Sequence, residues 1–208
     1  MSTKYKEPCA YFLNTVKNDL SDFIDCMDYA EIEAAAELIL KTQRHGGRVH
    51  ISGIGKPGHI SGYIASLMSS TGNPTYFLHG TEAVHGSCGQ LVPGDVVIFI
   101  SNSGETAEMR SAVTAVKNNG CAVIGVSSNR ASWLANESTV HMYAGIPQEG
   151  GPLGRAPRMS ILAETVVLQA LSVALQTDKE VTPQQYVKWH PGGTLGQLRE
   201  NEKNQEPG

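Results

Sequence analysis

Two patterns of apolar residues succeed one another along this chain. Near the start, Phe12, Val16, Leu20, Phe23 and Ile24 recur at helical spacing and predict an amphipathic helix over residues 11–26. Asp28-Tyr29-Ala30-Glu31 has the form of a capping box and predicts a second helix over 32–42, stopped by Gly46-Gly47. From Arg48 onward, short continuous runs rich in β-branched residues take over, and 48–52, 75–78, 95–100, 121–126 and 140–143 read as strands. Helical periodicity separates them at 59–70 and at 107–118, where Met109, Ala112, Val113 and Val116 share a face. The longest helical stretch is 159–176, and Pro183 opens a last short helix, proline being tolerated in a first turn. Strands alternating with helices predict an α/β three-layer sandwich, flavodoxin-like, around a central parallel sheet of about five strands. A helical N-terminal segment at 9–45 is expected to join the same domain, or to act as an arm on a partner subunit. One domain over 1–200 and a flexible polar tail over 201–208 complete the prediction.

Composition narrows the partners. The chain has 208 residues, 40% of them hydrophobic, enough for one domain with a sizeable core. A net charge of −4 and a pI near 6.0 leave no basic excess for nucleic acid. We find no apolar run of about 18 residues, so no membrane span is expected. Residues 1–8 are polar, without the apolar centre of a signal peptide. Cys9, Cys26, Cys88 and Cys121 lie far apart with no Cys-x-x-Cys pair. Idle thiols, a reducing cytoplasmic setting and no metal site are the expectation.

The candidate chemistry centres on Ser101-Asn102-Ser103-Gly104-Glu105-Thr106, which joins a buried strand to a helix. A helix N-terminus offers free N–H groups and the positive end of the helix dipole, and the hydroxyls add donors for a phosphate. The bland alternative is an ordinary N-cap, which three hydroxyls in six residues outweigh. No lysine follows, so this is not a nucleoside-triphosphate loop. Gly53-Ile54-Gly55-Lys56-Pro57-Gly58 follows the first strand, but its third glycine comes too early for a dinucleotide fingerprint. Lys56 falls there in a turn facing the strand ends, either as a solvated loop lysine or as a charge for an anion or sugar oxygen. Acid and base groups stand in further loops: Glu82 and His85, Glu108 one turn into the next helix, Glu149 before Gly150-Gly151, and His190 before Pro191-Gly192-Gly193. Each alone has a bland reading as a loop residue.

Taken together, six stretches resemble the sugar isomerase (SIS) domain family, and within it the arabinose-5-phosphate isomerases. They are Gly53–His59 as a glycine turn, Ser70-Thr71-Gly72-Asn73-Pro74, Glu82-Ala83-Val84-His85-Gly86, Ile100–Glu105, Pro152-Leu153-Gly154-Arg155-Ala156-Pro157, and His190-Pro191-Gly192-Gly193-Thr194-Leu195-Gly196. The resemblance implies that Ser101, Ser103 and Thr106 hold a phosphate, with Ser70 nearby. It implies active-site roles for Lys56, His85, Glu108, Glu149 and His190. It further implies a homo-oligomer, usually a tetramer, with sites at subunit boundaries, so that His190 serves a neighbour. The expected reaction is aldose–ketose isomerisation of a sugar phosphate through a cis-enediol, without cofactor or metal, and with Glu149 rather than Glu108 as carbon base. A phosphosugar sensor without catalysis is the alternative.

Three departures from the family matter, the first two for the sugar. Ser87-Cys88-Gly89 stands where Asp-Leu-Gly is usual, and Arg158-Met159-Ser160-Ile161 replaces Thr-Ser-Ser-Thr. Arg158 then either binds a phosphate or carboxylate bidentately or is a salt-bridged surface arginine. Regulatory CBS repeats, which follow the isomerase domain in many relatives, are not expected in this length.

Overall fold

The computed structural model describes residues 4–203. Residues 1–3 and most of the predicted tail, 204–208, lie outside the described residues. Two helices, α1 (Lys6–Asp25) and α2 (Tyr29–Arg44), lead into five strands: β1 (Val49–Gly53), β2 (Thr75–Phe77), β3 (Val96–Ile100), β4 (Ala122–Ser127) and β5 (Val140–Tyr143). Between and after them come α3 (Lys56–Ser70), α4 (Ala107–Asn118), α5 (Trp133–Glu137), α6 (Met159–Asp178) and α7 (Pro183–Trp189). All strand pairs are parallel, in the order β2-β1-β3-β4-β5. That is the flavodoxin-like order, whose topological switch point lies between β1 and β3.

The sheet is buried on both faces, as its unbroken apolar runs require. Every residue of β1 and β3 is buried. Val96, Ile98 and Ile100 face a core shared with α2, α3 and α6, whereas Val97 and Phe99 face one shared with α4 and Leu134 of α5. Period-two alternation thus feeds two cores from one strand. α6 is apolar nearly all round, with a mean hydropathy of 1.5. It is long and apolar enough to cross a membrane, which corrects the reading that no such run exists. Its burial against α2 and α3 accounts for that composition.

Several boundaries move. α1 begins at Lys6 and α2 at Tyr29, both earlier than the apolar spacing indicates. Asp28 caps α2 by accepting from the Ala30 N–H, but the expected capping box does not form. Glu31 has left the helix end for tertiary partners, the Tyr143 N–H at 2.8 Å and the Arg130 guanidinium. α3 starts at Lys56, so this lysine opens a helix instead of sitting in a turn. α5 has no counterpart among the predicted elements. Part of the predicted tail is ordered in a 3₁₀ turn at Glu200–Glu202, whose Glu202 carbonyl accepts from the Gln184 amide at 3.3 Å.

Candidate functional site

The crevice expected at the switch point is present. A cavity of about 280 Å³ is lined by Ile54 and Pro57, after β1, and by Ile100, Ser101, Asn102, Ser103 and Thr106, after β3. The Ser101–Thr106 loop winds tightly on itself. The Gly104 N–H donates to the Ser101 carbonyl at 3.0 Å, and the Glu105 N–H to the Ser103 hydroxyl at 3.2 Å. Thr106 is the N-cap of α4, but its hydroxyl makes no cap bond. It lies 3.5 Å from the Ser101 hydroxyl instead, and the first-turn N–H groups remain open to an anion.

A second segment clamps the loop from outside. The Ser128 N–H and hydroxyl both donate to the Asn102 carbonyl, at 2.9 and 2.7 Å. The Leu134 N–H donates to the Gly104 carbonyl at 3.0 Å, and the Trp133 N–H to a Glu105 carboxylate oxygen at 2.8 Å. Gly104 has φ +66°, and a Cβ there would fall 2.4 Å from the Ser132 hydroxyl oxygen. Only glycine fits. Beneath it, the Ser127 hydroxyl lies 3.1 Å from that of Ser132 and 2.8 Å from His141 Nε2. Burial, reinforced by the Arg130 charge, pushes the His141 imidazole down to about 4. This brace is thus uncharged at neutral pH, and the loop is held in shape before any ligand arrives. Sequence reasoning missed it, although Ser127 at the end of a buried strand was a visible signal.

Next to this cavity, and sharing Ile54 with it, is a second of about 340 Å³, lined by Gly53, Gly55, Gly58, His59, Phe77, His79 and Thr81. The loops after β1 and β2 touch here, since a Cβ on Gly80 would sit 2.4 Å from Ile54 Cδ1. Lys56 adjoins the cavity at the first position of α3 and forms no ion pair among the described residues. His85 closes a 3₁₀ turn, Glu82–His85, that begins just past Thr81, and Gly86 caps it with φ +117°. Lys56 and the Ser101–Thr106 loop thus stand at the carboxyl ends of β1 and β3, and the turn that carries His85 follows β2.

Three carboxylates differ in setting. Glu108 is exposed in the first turn of α4. Glu149 caps α6: its Oε2 accepts from the N–H groups of Arg158, Met159 and Ser160 at 2.6, 2.8 and 3.3 Å. Burial alone would raise its carboxyl, but hydrogen bonds from Ser160, Arg158 and Met159 outweigh that and hold it below the ordinary range. Glu164, four residues beyond Ser160 on α6, is fully buried, and neither oxygen has a hydrogen-bond partner among the described residues. Burial, with the Glu149 charge adding to it, pushes its carboxyl up to about 8. One acidic residue inside an apolar helix is its signal in the sequence, and the motif reading passes over it. Arg158 lies over Gly151, where a Cβ would come 2.3 Å from its guanidinium.

Two expected members lie elsewhere. β1 and β2 are parallel, so α3 must run from the carboxyl end of one back to the amino end of the other. Ser70, its last residue, therefore lies at the amino ends of the strands, about 20 Å from the phosphate loop by helix length. Its hydroxyl donates to the Leu67 carbonyl at 2.8 Å. The structure does not bring Ser70 to the phosphate loop of its own chain. His190 is at the same far end: Trp189, beside it, packs on Gly72, where a Cβ would fall 2.9 Å from the indole. The His190 Nδ1–H donates to the Tyr186 carbonyl at 2.8 Å and the two rings stack at 4.0 Å.

Comparison with known proteins bears on the family and the fold. The SIS domain family profile matches residues 43–174. An arabinose 5-phosphate isomerase of Yersinia pestis is 41% identical over 150 residues, 72% of this chain and 46% of that protein. One of Pseudomonas aeruginosa is 39% identical over 162 residues, 78% of this chain and 49% of that protein. The chain spans about half the length of these curated relatives. Among solved structures, an E. coli CFT073 protein in complex with arabinose 5-phosphate superposes with a TM-score of 0.81 at 34% identity, covering 92% of this chain and 100% of that one. Fold and sequence converge: this chain belongs to the SIS domain family.

Proposed function

We propose that this protein is a sugar-phosphate aldose–ketose isomerase, with arabinose 5-phosphate and ribulose 5-phosphate the leading pair. The observation that carries this reading is the preformed hydroxyl loop at the switch point, beside a second cavity that shares Ile54 with it and adjoins Lys56. Relatives named for arabinose 5-phosphate, and a similar structure solved with that sugar phosphate, support the substrate class. Ser101, Ser103 and Thr106 hold the phosphate, fixing the remote end of an open-chain sugar so that binding energy orients the reacting carbons.

Isomerisation moves a proton between adjacent carbons through a cis-enediol. A base must take the carbon proton, and a second group must move the oxygen-bound one. Glu149 is committed to the start of α6 and held at low basicity, which suits a fixed anion better than a proton carrier. Glu108, free of such bonds and two residues past Thr106, is the stronger choice of carbon base. Lys56 meets the enediolate charge, and His85 serves ring opening and oxygen protonation. His190 contributes from a neighbouring subunit of a homotetramer, because its own chain carries it to the opposite end of the sheet. No cofactor or metal enters this scheme.

An isomerase assay over pentose, hexose and heptose phosphates tests the reading. We expect turnover of arabinose 5-phosphate above the other sugars. Folded, oligomeric protein that turns over no member of the panel would overturn it.

A further inference from the structure

Two histidines of the sugar cavity, His59 and His79, are unused in this scheme, and the bonds around His79 define its role. His79 follows β2 and lines the cavity together with Phe77 and Thr81. Its Nδ1 lies 3.4 Å from the Glu82 backbone nitrogen, which can only donate, and 3.0 Å from the Thr81 hydroxyl. Nδ1 is therefore the acceptor, and the ring proton sits on Nε2. The residue is pinned on its other side by the Ala83 N–H, which donates to the His79 carbonyl at 2.9 Å. Phe77 sets the ring edge-on, with centroids 6.0 Å apart and planes at 84°. Among the described residues, no carboxylate lines this cavity to claim the Nε2–H. His190 has the opposite arrangement: its Nδ1–H is spent on the Tyr186 carbonyl, leaving Nε2 as an acceptor. One histidine is set to donate and the other to accept.

We propose that His79 is a further catalytic residue, whose Nε2–H donates a hydrogen bond to the substrate oxygen that gains negative charge as the enediol forms. The assignment rests on the isomerase reading above. When the carboxylate takes the proton from the carbon beside the carbonyl, the C–H electron pair becomes the new C=C bond. The carbonyl π pair moves onto oxygen, where the Nε2–H meets it. No proton leaves this ring: the proton of the adjacent hydroxyl is carried to that oxygen by His85, and as the carboxylic acid protonates the former carbonyl carbon, the pair freed on the adjacent oxygen forms the new carbonyl. A fixed imidazole donor is suited to this, since it meets the charge as it develops without reorganising.

The test uses the full-length oligomer with His79→Phe, which keeps a ring without a donor, and His79→Gln, whose terminal amide places an N–H near the position of Nε2. We expect His79→Phe to lower kcat on arabinose 5-phosphate about 100- to 1,000-fold with little change in KM. His79→Gln should recover at least about tenfold of that loss. Nitrogen-15 NMR of the wild-type ring should show the Nε2-protonated tautomer. A folded His79→Phe protein with wild-type kcat, or a ring protonated on Nδ1, overturns the assignment. Should His79→Phe fail to assemble, His79→Asn replaces it. Its shorter amide stands near Nδ1, so activity equal to that of His79→Gln also overturns the proposal. A wild type inactive on every sugar phosphate sinks the isomerase reading and this assignment with it, whereas an active wild type with an indifferent His79→Phe sinks only the latter.

Discussion

The two ends of the sheet are built to different purposes. At the carboxyl ends of β1 and β3 the backbone curls into an open, hydroxyl-lined loop, clamped by residues 127–134 but leaving the N-terminus of α4 without a side-chain cap. At the amino ends the polar groups are consumed. Buried Asp95 accepts from the Arg48 N–H at 2.8 Å, the Val92 N–H at 3.0 Å, the Arg48 guanidinium at 3.0 Å and His50 Nε2 at 3.1 Å. That carboxylate has nothing left for a ligand. Yet α7 delivers His190 to that closed end. Within one chain the hydroxyl loop and Lys56 thus stand at one end of the sheet and His190 at the other, and the proposed function requires a neighbouring chain to bring them together.

The sharpest way to break this picture is complementation. Glu108→Gln and His190→Ala should each lower turnover about 100- to 10,000-fold, the range of a positioned acid or base. Mixed and allowed to exchange subunits, the two variants should regain activity, since about a quarter of randomly paired sites would combine intact residues from two chains. Mass spectrometry must first show hybrids. Hybrids that form yet stay inactive would place His190 in its own chain's site and contradict the division between ends.

A second test sets α6 against the braced loop. Glu164 is a buried carboxyl raised to about 8 from an ordinary 4.5. The unfolded chain ionises first as pH rises, so the stability it contributes is full below about 4.5 and is lost as pH climbs towards about 8. Glu164→Gln removes that dependence. Thermal unfolding should show wild type losing on the order of 3–5 kcal/mol more than the variant between these limits. Identical pH profiles for the two proteins would mean that Glu164 finds a partner in the assembled protein.

What can be read from the chain follows the same divide. The strands and the loop after β3 are legible because each is encoded locally: a β-branched run, then hydroxyls and a glycine in a row. The start of α2 is not, because Glu31 answers to Tyr143 and Arg130, more than ninety positions away in sequence. Ser70 is misplaced by its motif for a topological reason. A motif's order along the chain does not reveal which end of a helix it occupies, and the parallel sheet sends α3 away from the site. Glu164 and His79 escape the motif reading because burial and hydrogen-bond roles are tertiary facts, invisible in a run of letters.

The phosphate loop offers a smaller effect. Ser103→Ala removes one hydroxyl donor to a charged group and also the acceptor for the Glu105 N–H. The loss should be about 1.5–3 kcal/mol for phosphorylated sugars, read as a rise in KM or a fall in kcat/KM. Unphosphorylated sugars, if turned over, should be indifferent. An equal loss with both would show that the loop shapes the fold and does not hold phosphate.

The mildest change bears on which carboxylate does the chemistry. Glu149→Gln keeps an acceptor for the three N–H groups at the start of α6 but removes the negative charge from the helix N-terminus. The stability lost should be about 1 kcal/mol at neutral pH, the scale of a charge at a helix end. Because the wild-type carboxyl is held below its ordinary value, this contribution is present above about pH 4.5 and vanishes as pH falls through the folded-state value. Wild type and variant should therefore converge in acid. The substitution also removes the charge that helps raise Glu164, so the loss of stability towards high pH should end sooner and be smaller than in wild type. For activity, Glu149→Gln should slow carbon–proton exchange far less than Glu108→Gln does. Exchange measured in deuterated water decides between them, because it reports the carbon proton alone, whichever later step limits turnover. Abolished exchange in Glu149→Gln, with Glu108→Gln still exchanging, would return the base to the helix cap and make its low basicity part of the mechanism.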